Sequence, residues 1–120
     1  YNLSNLGLIL TDSRSMPLRR GVVGVGLAYI GFQPLRDYRG QPDLFGRPMK
    51  ISQTNIVDSL AAAAVYAMGE CAEQTPAVII RGLKDIHFTN DDCSSELWLD
   101  PSDDIYEPLY HNFLPGGGEK

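Results

Sequence analysis

Hydrophobic positions along the chain form several short continuous runs and one helical stripe. Residues 6–11, 22–32 and 76–82 are apolar runs of strand length, which indicates buried strands. Between residues 54 and 68, apolar side chains recur at the i, i+3, i+4 and i+7 spacing of an amphipathic helix. The pattern predicts an α+β fold, with a small mixed sheet of glycine-rich strands packed on one main helix and long loops between them.

Small residues in two of these segments predict close packing between a strand and the helix. Segment 22–32 contains Gly24 and Gly26, where another backbone or a ligand can approach because no side chain intervenes. The helix carries four consecutive alanines at 61–64. Asn55 or its neighbour Thr54 can cap the start of the helix, and the glycine at position 69 fits a left-handed cap at its end. Residues 34–48, rich in proline and glycine, predict a turn-rich loop or short hairpin.

Composition indicates one soluble globular domain. Of the 120 residues, 43 % are hydrophobic and 21 % are charged. We expect a domain over residues 1–110 and a flexible glycine-rich tail over residues 111–120. No apolar run approaches the length of a membrane span, and no secretory leader opens the chain. Two cysteines, Cys71 and Cys93, fit reduced thiols in a cytoplasmic protein.

Charge is distributed unevenly along the chain. Residues 1–50 contain seven basic and three acidic residues, a balance of +4, whereas residues 51–120 contain three basic and twelve acidic residues, a balance of −9. The absence of a long basic stripe argues against nucleic acid as a partner. The pattern suits a small polyanion, such as a nucleoside triphosphate, that meets arginines on one side. Ordinary solvated surface charge is the simpler alternative.

Most familiar chemical motifs are missing. The glycine pattern that begins at Gly24 lacks the third glycine of a dinucleotide-binding site, and no phosphate-binding P-loop is present. The cysteines and histidines lack zinc-site spacing, and the acidic residues between 91 and 107 lack the order of a calcium loop. Asp12 and Ser13, at the end of a predicted strand, offer the oxygen ligands that Mg²⁺ or Mn²⁺ prefers. A turn-capping role is the alternative for Asp12.

Several stretches taken together resemble the coenzyme F420:L-glutamate ligase family of γ-glutamyl ligases. They are ILTDS at residues 9–13, DYRG at 37–40, DLFG at 43–46, the alanine-rich helix and PAVIIRG at 76–82. Residues 12–21 are most similar to a bacterial subgroup associated with folate metabolism. The resemblance extends over residues 6–110 but covers only the C-terminal half of the family's usual chain. We therefore expect a fragment, a domain or one part of a split enzyme.

The resemblance implies roles for particular residues. The family's metal-binding carboxylate and hydroxyl fall on Asp12 and Ser13, with serine in place of the usual threonine, and a further metal ligand falls on Glu70. No residue is assigned a catalytic role. The implied nucleotide-binding residues are Met68, Gly69, Glu70 and Cys71. The arginines proposed as phosphate or carboxylate clamps are Arg19, Arg36 and Arg39.

The activity implied by the resemblance is a ligation that consumes GTP or ATP and requires Mg²⁺ or Mn²⁺. L-glutamate would be joined, through an acyl phosphate, to a small coenzyme F420-like or folate-like acceptor. The family's Gly-Arg-Pro-Trp stretch reads SMPL at residues 15–18, which removes one cation and one stacking surface and favours an acceptor other than F420 itself. We expect a homodimer or a complex with the missing N-terminal half. The alternative is a non-catalytic binding or assembly domain that keeps the fold.

Overall fold

The structure, a computed structural model, describes residues 3–110 and has an α+β architecture, as predicted. Its strands form two separate antiparallel pairs, β1 with β2 and β3 with β4. Within residues 3–110, no helix has the length and apolar character needed to cross a membrane. The elements are β1 (Leu8–Ser15), β2 (Val22–Ile30), β3 (Leu35–Asp37), β4 (Gln53–Asn55), α1 (Ile56–Met68), a 3-10 turn (Pro101–Asp103) and α2 (Glu107–Tyr110).

The hairpin of β1 and β2 is the larger sheet. Its register pairs Leu8 with Ile30 at one end and Ser15 with Val22 at the other, and it shifts between Leu10 and Thr11 at a β-bulge. The apolar run predicted β1 only as far as residue 11. The strand continues through its polar end because its residues remain paired with β2. Only one face of this hairpin is covered by α1, so the strands are half-buried rather than fully buried.

Helix α1 packs directly on the backbone of β2. A Cβ atom at Gly24 would overlap the carbonyl of Ala61, and one at Gly26 would overlap Cγ1 of Val57. The predicted close packing of small residues is therefore confirmed. The buried apolar residues near this contact are Phe32, Ile56, Val57, Ala61, Ala64 and Val65.

Hydrogen bonds fix the start of α1 against β2. Asn55 caps the helix, because its Oδ1 accepts from the backbone N–H of Asp58 at 3.0 Å. The Asp58 carboxylate accepts from Asn55 Nδ2 at 2.7 Å and from the backbone N–H of Gly26 at 2.9 Å. At the other end, Gly69 ends the helix at the predicted position with a positive φ of 81°, but its ψ of 176° is extended and is not that of the predicted left-handed cap. One side chain, Asp58, thus links the cap to the strand.

The prediction of a buried strand at residues 76–82 is wrong. The segment pairs with no strand among residues 3–110 and lies largely exposed, with Ile79 79 % exposed. Valine and isoleucine favour extended backbone, but a strand also needs a neighbouring edge to bond. No edge within the described residues reaches this segment.

The acidic region after residue 88 is mostly irregular, as predicted, and the two short helical segments lie within it. Backbone and side-chain contacts attach it to the rest of the fold, and Leu97 packs against the core cluster. Phe88 forms a backbone bridge with Phe32, and the Tyr29 hydroxyl donates to the carbonyl of Cys93. The predicted flexible tail, residues 111–120, lies outside the described residues.

We predict that Gly26→Ala destabilises the fold by about 1–3 kcal/mol, because the added methyl group overlaps a fully buried valine. In a Val57→Ala background the overlapping methyl is gone, so the same substitution should cost less. Urea denaturation of the two single variants and the double variant measures this coupling. An equal loss in both backgrounds would contradict the contact.

Candidate functional site

A cleft of about 310 Å³ opens where α1 ends. Gly26 faces Val57 and Gly24 faces Ala61 and Val65, so β2 runs opposite to α1. Its antiparallel partner β1 therefore runs in the direction of the helix, which carries the polar end of β1 to the helix C-terminus. The residues that line the cleft are Thr11, Asp12, Ser13, Val65, Met68, Gly69, Glu70, Thr75 and Pro76.

The three residues predicted to hold a metal all line this cleft. Ser13 Oγ donates a hydrogen bond to Glu70 Oε2 at 2.9 Å across 57 positions of sequence. Glu70 follows directly on the glycine that ends α1. Asp12 Oδ1 accepts from the backbone N–H of Ser13 at 2.7 Å, which folds the carboxylate back along its own strand. Asp12 pairs with Val25 inside β1, which continues to Ser15, so no turn lies at this position for Asp12 to cap.

The oxygen donors in the cleft are of the type that a hard divalent cation such as Mg²⁺ prefers. Within the part of the chain that the structure describes, no group of three or more His, Cys, Asp or Glu side chains is positioned to hold a metal. Glu70 supplies a carboxylate and Ser13 a hydroxyl from the side of β1 that faces α1, whereas strand alternation places the Asp12 side chain on the opposite side of β1, at the edge of the cleft. Mg²⁺ commonly binds through one or two carboxylates and completes its shell with water and substrate phosphates. The donors fit an ion shared with a nucleotide better than an ion caged by protein.

The predicted nucleotide segment borders this cleft and a second one of about 420 Å³. Met68 and Gly69 line both clefts, and Cys71, an exposed free thiol, lines the second. The loop that follows is closed by Glu73, whose Oε2 accepts from the backbone N–H of Cys71 at 2.8 Å. This hydrogen bond holds the pKa of Glu73 below its ordinary value. The two clefts thus form one continuous rim around the end of α1.

Sequence reasoning missed two contributors to this rim. Thr11 lies two positions before Ser13 on β1, so the alternation of a strand places both on the face toward α1. That alternation could have identified it. Glu73 closes the loop from an exposed position in no recognisable motif, and the sequence carries no signal for its role.

The three candidate arginines lie at opposite ends of α1. Arg36 is in β3 and pairs with Thr54 of β4, the strand that leads into the helix. It bonds Asp85 at 2.9 Å, and Arg39 bonds Asp37 at 2.6 Å. A helix of 13 residues is about 20 Å long, so these two arginines lie far from the cleft.

Arg19 has a different position. It lies in the turn that joins β1 to β2, and this turn is at the cleft end of α1. Among residues 3–110 it is bonded to no carboxylate. Of the three candidates, Arg19 is therefore the one that lies toward the cleft end of α1 and has no carboxylate partner among residues 3–110, although it does not line the cleft.

Comparison with known proteins gives the same family as the motifs. The family model described as F420-0:Gamma-glutamyl ligase matches residues 3–82. This match covers two thirds of the chain and includes β1, β2, α1 and both clefts. The chain belongs to the F420-0:γ-glutamyl ligase family.

Curated relatives are named coenzyme F420:L-glutamate ligase. The Methanopyrus kandleri protein is 49 % identical over 80 residues, which is 67 % of this chain and 32 % of the relative. The Methanococcus maripaludis strain C7 protein is 39 % identical over 102 residues, 85 % of this chain and 40 % of the relative. The Haloarcula marismortui protein is 38 % identical over 98 residues, 82 % of this chain and 37 % of the relative. The aligned part of the chain thus spans 32–40 % of the length of these relatives.

We predict that protonation of Glu73 opens the loop beside the clefts. A carboxylate with a lowered pKa stabilises its bonded conformation above its ordinary pKa, and the stabilisation is lost as pH falls through the folded value. The amide resonance of Cys71 should therefore shift between about pH 6 and about pH 3. Its midpoint should lie below 4.5, the ordinary pKa of a glutamate side chain. Nuclear magnetic resonance titration measures it.

Glu73→Gln is the control, because glutamine keeps an acceptor oxygen and does not titrate in this range. A Cys71 amide that stays unchanged in the unsubstituted protein, or that shifts equally in the variant, would contradict the assignment.

Proposed function

We propose that this chain is the part of a γ-glutamyl ligase that binds the nucleotide and one divalent metal ion. The observation that carries the proposal is the meeting of Ser13 and Glu70, with Asp12, in one cleft. These residues come from two distant segments, and the fold brings them together at the end of α1. Family membership supports the same assignment, because the curated relatives are named as L-glutamate ligases.

The proposed reaction has two steps. A carboxylate oxygen of the acceptor attacks the γ-phosphorus of GTP or ATP, which forms an acyl phosphate and releases the nucleoside diphosphate. The amine of L-glutamate then attacks the acyl carbon, phosphate leaves with the bonding electrons, and the amine loses a proton as the amide forms. Catalysis of the first step consists largely of positioning and of neutralising negative charge.

The chain's own residues would supply that positioning. Asp12 and Glu70 would hold Mg²⁺ or Mn²⁺, which neutralises phosphate charge when bound, and Ser13 would exchange its bond to Glu70 for a bond to the ion or its water. Arg19 would contact a phosphate or carboxylate oxygen from the β1–β2 turn. Arg36 and Arg39, at the far end of α1, would serve the fold through their ion pairs.

The β1–β2 turn also bears on the choice of acceptor. Met16 and Leu18 stand where the family has an arginine and a tryptophan, and both are exposed. A loop without that cation should bind a phosphorylated tail less well, since one charged hydrogen bond contributes roughly 1.5–3 kcal/mol. We propose a folate-like or other pterin or deazaflavin acceptor, in preference to F420-0 itself.

A second candidate is a non-catalytic binding or assembly domain with the same fold. Two observations favour it. The chain spans a minority of each relative's length, and residues 3–110 offer only two carboxylates at the cleft. The following two experiments separate the candidates.

We predict that Asp12→Ala and Glu70→Gln each weaken Mn²⁺ binding by about tenfold or more, since even the outer partners of metal ligands are worth that much. Isothermal titration calorimetry with Mn²⁺, in the presence of a non-hydrolysable GTP analogue, measures the affinity. Both variants should keep the circular dichroism spectrum of the unsubstituted chain.

Asp103→Asn is the matched control, because it removes an exposed carboxylate remote in sequence from the cleft. Unchanged affinity in both cleft variants would refute the metal assignment. A loss of stability in Asp12→Ala without loss of affinity would identify a purely structural role for Asp12 within β1.

Activity requires a fuller assembly. We predict phosphate release when the chain, co-expressed with the remainder of the family sequence from a relative, receives L-glutamate, GTP or ATP, and dihydrofolate. F420-0 is tested separately under the same conditions. Release with F420-0 alone would overturn the acceptor preference, and release with neither would favour the non-catalytic candidate.

A further inference from the structure

The face of the β1–β2 hairpin turned away from α1 is uncovered, and it is apolar at the end remote from the cleft, whereas Asp12 and Arg14 lie on the same face at the other end. Side chains alternate across a strand, so Ile9 packs toward the core whereas its neighbours Leu8 and Leu10 point to the opposite side. Ile30 lies opposite Leu8 in the register, and Leu27 lies at the bulge beside them. We call these four residues the outer face. Their exposed fractions are 66 % for Leu8, 61 % for Leu10, 61 % for Leu27 and 67 % for Ile30.

The accessible surface area of the chain is also larger than that expected for a compact protein of its mass. The chain has 10396 Å² of accessible surface. A compact monomer of 13.2 kDa would have about 6,400 Å². The difference, of the order of 4,000 Å², exceeds what each partner contributes to a standard protein–protein interface by several fold. The chain is open in the manner of a piece of a larger core.

The strand edges around the outer face are also open. Each strand of the hairpin has one edge that pairs with no other strand within residues 3–110. Residues 8–10 of β1 and 27–30 of β2 contain no charged residue and no proline, the usual features that protect a free edge. A two-stranded sheet is marginally stable on its own. Such an edge and face are typical of a sheet that continues into further structure.

We propose that the outer face is the docking surface for the part of the ligase fold that the longer relatives carry outside the aligned third. That part would cover the four side chains with an apolar layer and extend the sheet at a free edge. The relatives contain the required material, because the aligned 80 residues make up only 32 % of the Methanopyrus kandleri protein. The inference rests on family membership and on packing, and it does not depend on the proposed catalysis.

A second copy of this chain fits the observations less well. Other exposed apolar side chains lie outside the hairpin, among them Phe45 in the 38–50 loop, Ile79 and Trp98. One symmetric contact through the outer face would leave these side chains exposed. The remainder of the Methanopyrus kandleri protein, about twice the length of the aligned 80 residues, can cover several separate surfaces at once.

The test is co-expression of the full 120-residue chain with the Methanopyrus kandleri ligase from which the aligned 80 residues are deleted. We expect the two polypeptides to co-elute at a 1:1 ratio in size-exclusion chromatography with light scattering. Leu10→Lys should lower the recovered complex at least tenfold. Because Leu10 is mostly exposed, the substitution removes little packing within the chain, and circular dichroism of the variant checks this.

The matched control is Leu109→Lys, which places the same charge on an exposed leucine of α2, outside the hairpin and outside residues 3–82, and should leave the complex intact. A complex that survives Leu10→Lys, or two polypeptides that fail to co-elute, would overturn the proposal. So would a chain that by itself is a monodisperse monomer without binding of a hydrophobic dye. A homodimer abolished by Leu10→Lys would assign the outer face to a second copy. A complex that forms without ligase activity would contradict the proposed function and leave the docking surface supported.

Discussion

The direct contact between the backbone of β2 and α1 is the constraint on which the rest of this structure depends. Gly24 and Gly26 allow the helix to lie against the strand with no side chain between them, and the Asp58 carboxylate joins the two through the Gly26 amide. This contact fixes the direction of the hairpin relative to the helix. As a result the polar end of β1 arrives at the helix C-terminus, where Ser13 meets Glu70. The geometry of the cleft therefore depends on the two glycines, because a side chain at either position would keep the helix away from the strand.

Sequence patterns predicted the features that depend on near neighbours. The helix predicted over residues 54–68 is observed as Ile56–Met68, because Asn55 acts as the cap. The strands β1 and β2 and the close contact with the helix follow from apolar runs and glycines, whereas the pairing of the two strands as a hairpin was not predicted. Features that depend on distant partners were not accessible. The extended segment 76–82 has the composition of a strand but no edge to join. Likewise the charge pattern could not show that Arg36 and Arg39 lie a helix length from the cleft.

The chain combines a well-ordered local framework with an incomplete interior. Buried apolar side chains within residues 3–110 cluster around Phe32 and one face of α1, whereas leucines, isoleucines and a tryptophan remain exposed elsewhere. Burial of apolar surface is the dominant favourable term in folding. Because the core is small, its burial contributes little free energy to offset the loss of chain entropy. The cleft likewise has few carboxylate oxygens among residues 3–110. Both the packing and the chemistry are those of one portion of a larger fold.

The bulge at Leu27 has a consequence for how this hairpin can change in length. In a regular strand, residues an odd number of positions apart face opposite ways, yet Gly26 and Tyr29 both face α1. Leu27 is the extra residue at the bulge, so Gly26 and Tyr29 face the same way although they are three positions apart. Loss of Leu27 itself would therefore leave both faces as they are. Loss of Ala28 would have the same effect, because Leu27 would then take its place opposite Leu10. Loss of an interior residue of β2 outside the bulge would instead invert the side chains on one side of the gap. The bulge therefore gives β2 two adjacent positions at which one residue can be lost while the same side chains still face the helix.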